Sequence, residues 1–262
     1  MDAIDNLHTV VEPIIKEAGA LVRSFFRQPS VNWKRKKNSG LVTQADHESE
    51  EYLISALKKI DSNVSFIGEE TGVQGKNDYC WVIDPIDGTG NFINKIPYFC
   101  ISVALTHYGT PIFGAIYQPI TDEYFYAYQA KGAYLNGSPI SVSSEKKSEQ
   151  SIFIVGSPGV AINRRSLSSI LRKESAYEHS FISYRYFGSA ALDQANLAAG
   201  RLEGLYFRYL EWWDIAAGML LIQEAGGIVS DFRGDKKSPE GDHSYLAGNP
   251  LLYNALHTII KK

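Results

Sequence analysis

Trp81-Val82-Ile83-Asp84-Pro85-Ile86-Asp87-Gly88-Thr89 runs from an apolar, strand-like segment straight into two carboxylates three positions apart. Proline has no amide hydrogen to donate to a sheet ladder, so regular pairing is predicted to stop at Pro85 and the chain to turn there. Such a turn draws the carboxylates of Asp84 and Asp87 and the Ile86 carbonyl towards one point, where hard oxygen ligands face a single cation. Gly88 lets the backbone approach a ligand closely, and the Thr89 hydroxyl can meet a water or a phosphate oxygen. Asp-Pro and Asp-Gly pairs are also common in plain turns, so the segment needs support from elsewhere in the chain.

The surroundings are those of a folded, water-soluble protein. The chain has 262 residues, 44% hydrophobic, 12% aromatic and 21% charged, which suits one large or two closely packed domains and argues against disorder. No apolar run approaches the roughly 18 residues of a membrane span, and no basic leader precedes an apolar core, so a cytoplasmic location is the default expectation. Cys80 and Cys100 have no metal-type spacing and fit a reducing compartment. A net charge of -3 gives no reason to expect nucleic acid as a partner.

Outward from the central motif, apolar positions at helical spacing predict a first helix over Ile4 to Phe26, with Pro13 either kinking it or marking its start. The basic run Lys34-Arg35-Lys36-Lys37 reads as a solvated loop. Thr43 or Asp46 caps a second helix, with Glu48, Glu50 and Glu51 near its positive end. Strands over Val64 to Ile67, Tyr79 to Ile83, Phe99 to Thr106, Ile112 to Tyr117 and Tyr124 to Tyr128 are expected to form an antiparallel sheet. After the polar stretch Ser141 to Ser151 strands alternate with helices: Ile152 to Val155, Asn163 to Lys173, Phe181 to Tyr184, Ser189 to Ala199, Leu205 to Tyr209 and Asp214 to Ala225. Two domains follow: 1–145, α+β and carrying most of the candidate ligands, and 146–262, α/β and carrying Asp214.

Acidic residues sit at the ends of several of these elements: Asp46, Glu69 with Glu70, Asp84 with Asp87, and Asp214. Like charges gathered in one cleft raise one another's pKa and oppose folding, a conflict that divalent cations remove. The candidate donors are all oxygens, and the six histidines show no ligand spacing, which selects Mg²⁺ or Mn²⁺ over Zn²⁺. Taken singly, Glu69-Glu70 is a solvated acidic pair, Asp214 a helix cap, and Gly226-Gly227 a helix stop before a strand.

Gly68-Glu69-Glu70, Asp84-Pro85-Ile86-Asp87-Gly88-Thr89 and Trp213-Asp214-Ile215-Ala216-Ala217-Gly218, followed by Glu224-Ala225-Gly226-Gly227, resemble in order and spacing the motifs of the inositol monophosphatase family of Mg²⁺-dependent, lithium-sensitive phosphatases. The resemblance implies an α/β fold of the sugar-phosphatase type, a layered αβαβα sandwich, usually a homodimer, acting on small phosphorylated metabolites with two or three Mg²⁺ per active site. By resemblance Glu69, Asp84 and the Ile86 carbonyl hold a first metal, and Asp84, Asp87 and Asp214 a second. Thr89 paired with Asp46 orients the attacking water, with Glu70 behind it. The amides of Gly88 and Thr89 cradle phosphate, and Gly188-Ser189-Ala190 lines the sugar side of the pocket. Lys34 to Lys37 falls where the family has a mobile loop near the metals and could draw an anionic substrate inward.

Two positions depart from that pattern. Inositol-specific members usually carry a glutamate seven residues before the aspartate of the Trp-Asp motif, and Phe207 stands there, followed by Arg208. An aromatic ring cannot accept hydroxyl hydrogens, whereas Arg208 could pair with a second phosphate or a carboxylate. Fructose 1,6-bisphosphate, NADP or a nucleotide 3'-phosphate, and histidinol phosphate are therefore alternatives to inositol 1-phosphate as the substrate. Gly90 replaces a threonine found in many inositol phosphatases. A non-catalytic regulatory binding module is the alternative of a different class.

Overall fold

The computed structural model describes residues 6–36, 40–156, 183–239, 241 and 243–261. The expected helix Asn163 to Lys173 and the first part of the expected strand Phe181 to Tyr184 lie outside the described residues. Helix α1 (Leu7–Phe26) continues through Pro13 and buries Leu7, Val11, Ile15, Ala18 and Val22 on one stripe. The proline therefore neither starts nor ends the helix, and the cost is one main-chain hydrogen bond in its second turn. Lys34 and Arg35, read from sequence as solvated loop, belong instead to one strand of a short hairpin, β1 (Trp33–Arg35), which pairs antiparallel with β2 (Leu41–Thr43), and β2 leads into α2 (Gln44–Leu57); Lys37 lies outside the described residues.

An eight-stranded sheet follows, made of β3 (Ser65–Gly68), β4 (Gly72–Gln74), β5 (Tyr79–Asp87), β6 (Cys100–His107), β7 (Thr110–Gln118), β8 (Glu123–Tyr128), β9 (Gly132–Leu135) and β10 (Ser138–Ile140). Its order is β10-β9-β8-β7-β6-β5-β3-β4. The sheet is not wholly antiparallel as expected, because β3 and β5 run parallel. The short return strand β4 carries the chain back to the start of β3, and β5 then repeats its direction. The strand also does not end at Pro85. The β5 ladder with β6 skips from Asp84 opposite Ser102 to Asp87 opposite Cys100, a bulge that leaves Pro85 and Ile86 unpaired.

The second sheet has the order β12-β11-β13-β15-β14, built from β11 (Ile152–Gly156), β12 (Ser183–Arg185), β13 (Gly204–Phe207), β14 (Ile228–Ser230) and β15 (Tyr245–Gly248). β11 is parallel to β12 and β13, while β15 is antiparallel to both neighbours. Helices α4 (Ala190–Ala198) and α5 (Trp212–Glu224) lie between the sheets, and α6 (Pro250–Lys261) covers the far side of the second. With α1 and α2 on the outer face of the first sheet, the layers read αβαβα.

Period-two alternation sorts the large sheet's side chains between two cores. Trp81, Ile83, Ile101, Val103, Phe113, Ala115, Tyr124 and Tyr126 face α1 and α2, whereas Val82, Cys100, Ala104, Ile116, Phe125 and Ala127 face α4 and α5. The second set is smaller, so α5 can come close. A Cβ added at Gly114 would lie 2.9 Å from the Cα and carbonyl oxygen of Ala217. This close seating of α5 brings Asp214, near its first turn, to the end of β5. No helix among the described residues is long and apolar enough to cross a membrane.

Candidate active site

Asp84, Asp87 and Asp214 each offer a carboxylate oxygen within 4.8 Å of the others. Asp84 and Asp87 are buried at the bulged end of β5, and Asp214 meets them from the helix of the next layer. Pro85 and the bulge turn Asp84 and Asp87 to a common side, and the Ile86 amide donates to Asp84 Oδ1 at 3.0 Å. Asp214 is not a helix cap, as its sequence context suggests. It occupies the third position of α5, where its Oδ2 accepts the Glu211 amide at 2.8 Å in a capping box.

Burial pushes the Asp84 carboxyl well above the usual range, and Glu69, Asp87 and Asp214 push it further. Asp214 is raised by burial and then by Asp87 and Glu69. Burial also raises Asp87, to about 6, against the downward pull of the Ser189 hydroxyl and the Ala191 and Ala190 amides. A set of carboxylate oxygens that repel one another this strongly fits a hard, multiply charged cation, and among these three groups there is no soft donor that would favour zinc or copper.

Glu69 and Glu70 follow β3 but are not a solvated pair. Lys36 Nζ, at the end of the β1–β2 hairpin, donates to Glu69 Oε1 at 2.7 Å and to Glu70 Oε1 at 2.6 Å. Burial works against the Lys36 charge, yet the two carboxylates hold its pKa above the ordinary lysine value. Burial lifts Glu70 to about 7 despite the lysine. Glu50, from sequence an acid near the positive end of α2, is fully buried and grips the turn: its carboxylate accepts the amides of Glu70 at 2.9 Å and Thr71 at 2.8 Å. Gly68 makes room for it, since an added Cβ would stand 2.2 Å from Glu50 Oε1.

Thr43 and Asp46 both serve the start of α2, Thr43 as cap and Asp46 as its capping-box partner. Asp46 Oδ2 accepts the Thr43 amide at 2.8 Å, which leaves Oδ1 for the Thr89 hydroxyl at 3.2 Å. Thr89 Oγ1 is also 3.1 Å from the Ile86 carbonyl oxygen. One hydroxyl hydrogen serves one acceptor at a time, so the proton of Thr89 stays on this side and its lone pairs are open to a water. Burial raises Asp46 to about 6, moderated first by its bonds to Thr43.

Gly88 caps the short helix α3 (Thr89–Ile93) at φ +97, and an added Cβ would meet Tyr98 O at 3.1 Å and Gly188 O at 3.2 Å. Gly90 has open space around it, so no steric demand explains the missing side chain. Across the site, Asn91 Nδ2 donates to the carbonyls of Phe187 at 2.7 Å and Tyr98 at 2.8 Å, which ties the Gly188 segment to α3. A cavity of about 50 Å³ opens beside Asp87 and Asp214, lined also by Gly188, Ser189 and Ala190 and by Tyr186, Phe207 and Leu210. The side chain of Arg208 is exposed and is not part of that lining.

A family model described as the inositol monophosphatase family matches residues 4–262. The chain belongs to the inositol monophosphatase family. It is 34% identical to an inositol-1-monophosphatase of Mesorhizobium japonicum, over 98% of this chain and 96% of that one. It is 36% identical to a protein of Pseudomonas aeruginosa named Nus factor SuhB, over 94% of this chain and 92% of the relative. The crystal structure of the extragenic suppressor protein SuhB of Bartonella henselae superposes with a TM-score of 0.90 at 32% identity, covering 98% of both chains.

The resemblance places the Lys34 to Lys37 run near the metals, but the pairing of Lys36 with Glu69 and Glu70, the grip of Glu50 and the role of Ser189 as a partner of Asp87 escape sequence reasoning. Lys36 stood in a basic run, but its partners lie 33 and 34 residues away and no local pattern pairs them. The one available signal for Glu50 is Gly68, a residue without a side chain directly before two acids.

Proposed function

We propose that this protein hydrolyses a small phosphate monoester, such as inositol 1-phosphate, with Mg²⁺ as its cation and water as the nucleophile. The observation that carries this reading is the meeting of Asp84, Asp87 and Asp214 within 4.8 Å, beside the Thr89–Asp46 pair. Asp84, Asp87 and Asp214 would hold the cations, with Glu69 and the Ile86 carbonyl completing the set that the resemblance implies. When bound, divalent cations in such a site acidify water and neutralise charge on the phosphoryl and leaving oxygens.

The chain's own residues supply position and proton handling. With its hydrogen directed to Asp46 Oδ1, Thr89 Oγ1 would accept a hydrogen from the attacking water and aim it. Asp46, with a pKa of about 6, is ionised at neutral pH and basic enough to draw the proton through Thr89. Glu70 stands behind this pair, steadied by Lys36. The Gly88 and Thr89 amides at the start of α3 receive phosphate oxygens. A loose transition state spreads charge over those oxygens, so fixed donors at that point lower the barrier. Tyr186, Phe207 and Leu210 give the leaving group an apolar wall, and Phe207 offers no acceptor for inositol hydroxyls.

The test is phosphate release from inositol 1-phosphate, fructose 1,6-bisphosphate, NADP, adenosine 3',5'-bisphosphate and histidinol phosphate, with and without Mg²⁺ and lithium. Mg²⁺-dependent turnover of at least one substrate, abolished by Asp87→Asn, is expected. A second reading is a non-catalytic regulatory binding module, and the relatives named Nus factor SuhB are the observation that favours it. Absence of turnover across the whole panel would favour it.

A further inference from the structure

We propose that Ser189 is a positioning residue for Asp87: its hydroxyl, with the first turn of α4, fixes one carboxylate oxygen so that the other is presented to the cation. The proposal rests on the functional reading above and concerns a serine that sequence resemblance assigns to the substrate wall.

Ser189 Oγ donates to Asp87 Oδ2 at 2.6 Å, and the Ala191 amide donates to the same oxygen at 2.6 Å. Cys100 Sγ lies 3.8 Å from it. The hydroxyl, the Ala191 amide and the thiol converge on Oδ2, and the Ala190 amide adds its pull on the same carboxylate. A carboxylate pinned through one oxygen by two short, charge-assisted bonds has lost its rotation about the terminal torsion. Its second oxygen then has a fixed direction.

Ser189 is in the N-cap position of α4, where a serine normally accepts an amide of its own helix. Its side chain makes no such bond. The free first-turn amide of α4 is satisfied instead by Asp87, which arrives from a different layer and acts as the cap. The serine hydroxyl, released from local duty, turns to the same carboxylate. Ser189 is 1% exposed, which leaves little of it for a substrate to touch, and Asp87 is 8% exposed. The exchange joins β5 of the first sheet to the middle helix layer at the point where Asp214 also enters. Partners that orient ligating carboxylates typically change metal affinity by 10- to 100-fold when removed.

The experiment is calorimetric titration of the metal-free protein with Mn²⁺, and thermal unfolding in EDTA, for wild type, Ser189→Ala and Ser189→Thr. Ser189→Ala is expected to weaken Mn²⁺ binding about tenfold or more. Ser189→Thr, which keeps the hydroxyl, should stay close to wild type. In kinetics the Ala variant should need more Mg²⁺ for half-maximal rate but recover most of kcat at saturation, which a general folding defect would not produce. Equal Mn²⁺ affinity in wild type and Ser189→Ala overturns the positioning role and leaves the functional reading intact. Failure of the wild type to bind Mn²⁺ at all overturns the reading itself. If Ser189→Ala does not fold, Ser189→Cys, similar in size and a much weaker donor, replaces it with the same expected direction.

Discussion

Replacing Asp87 by Asn is expected to make the metal-free protein more stable while ending its function. The carboxyl has a pKa of about 6 when folded against 3.8 as its ordinary value. Below pH 3.8 it is protonated in both states and costs nothing. Between 3.8 and 6 the unfolded chain releases the proton while the folded one keeps it, so stability falls as pH rises. Above pH 6 the full deficit is present, about 3 kcal/mol at about 1.4 kcal/mol per pH unit. Asparagine removes the charge and keeps an oxygen for Ser189 and Ala191. For a chain of this size the difference corresponds to roughly 5 to 10 °C in Tm. The assay is thermal unfolding of both proteins in EDTA from pH 4.5 to 8. The Asn variant should melt higher at pH 7.5, and its advantage should shrink towards pH 4.5. Excess Mg²⁺ should reverse the order by stabilising the wild type alone. A wild type at least as stable as the variant at pH 7.5 in EDTA, with a gap independent of pH, would refute the reasoning.

Asp46→Asn takes away the proton acceptor behind Thr89 and should lower kcat by about 10²- to 10⁴-fold with Mn²⁺ affinity within a few-fold of wild type; a parallel loss of Mn²⁺ binding would show Asp46 to be a ligand instead. Gly68→Ala drives a methyl into the buried Glu50 carboxylate and disturbs its bonds to the Glu70 and Thr71 amides, so unfolding in urea should show a loss of about 2 to 4 kcal/mol. Unchanged stability would mean that the turn adapts freely. Arg208→Ala should leave kcat/KM for inositol 1-phosphate within twofold, since that side chain is exposed and outside the cavity; a tenfold loss would show that it reaches the substrate.

The candidate site was legible where function left a local mark. Asp84-Pro85-Ile86-Asp87 announces itself because an apolar run meets a proline framed by acids, and the bulge that leaves Pro85 unpaired within β5 is the structural form of that signal. Asp46 and Asp214 were readable as helix-start residues, and both are capping-box acids that spend one oxygen on their own helix. Partnerships across layers were not readable. Lys36 with Glu69 and Glu70, Glu50 with the following turn, and Ser189 with Asp87 join residues 20 or more positions apart, and nothing nearby in sequence selects those partners.

The fold divides in the same way. Alternating apolar residues gave the long strands β5 to β8, while β1, β2, β4, β9 and β10 are three or four residues long and too short to show a period. The parallel pairing of β3 with β5 follows from β4, whose exposed Val73 and flanking glycines look like a turn. Helix α6 went unremarked although it buries Leu252, Tyr253 and Leu256 on one face.

Crystals of the metal-free protein soaked in Mn²⁺, with diffraction recorded at the manganese edge, address the central claim directly. Anomalous peaks are predicted within about 2.5 Å of carboxylate oxygens of Asp84, Asp87 and Asp214. Saturating Mn²⁺ that leaves these three carboxylates without a peak, or places manganese elsewhere in the molecule only, would contradict it.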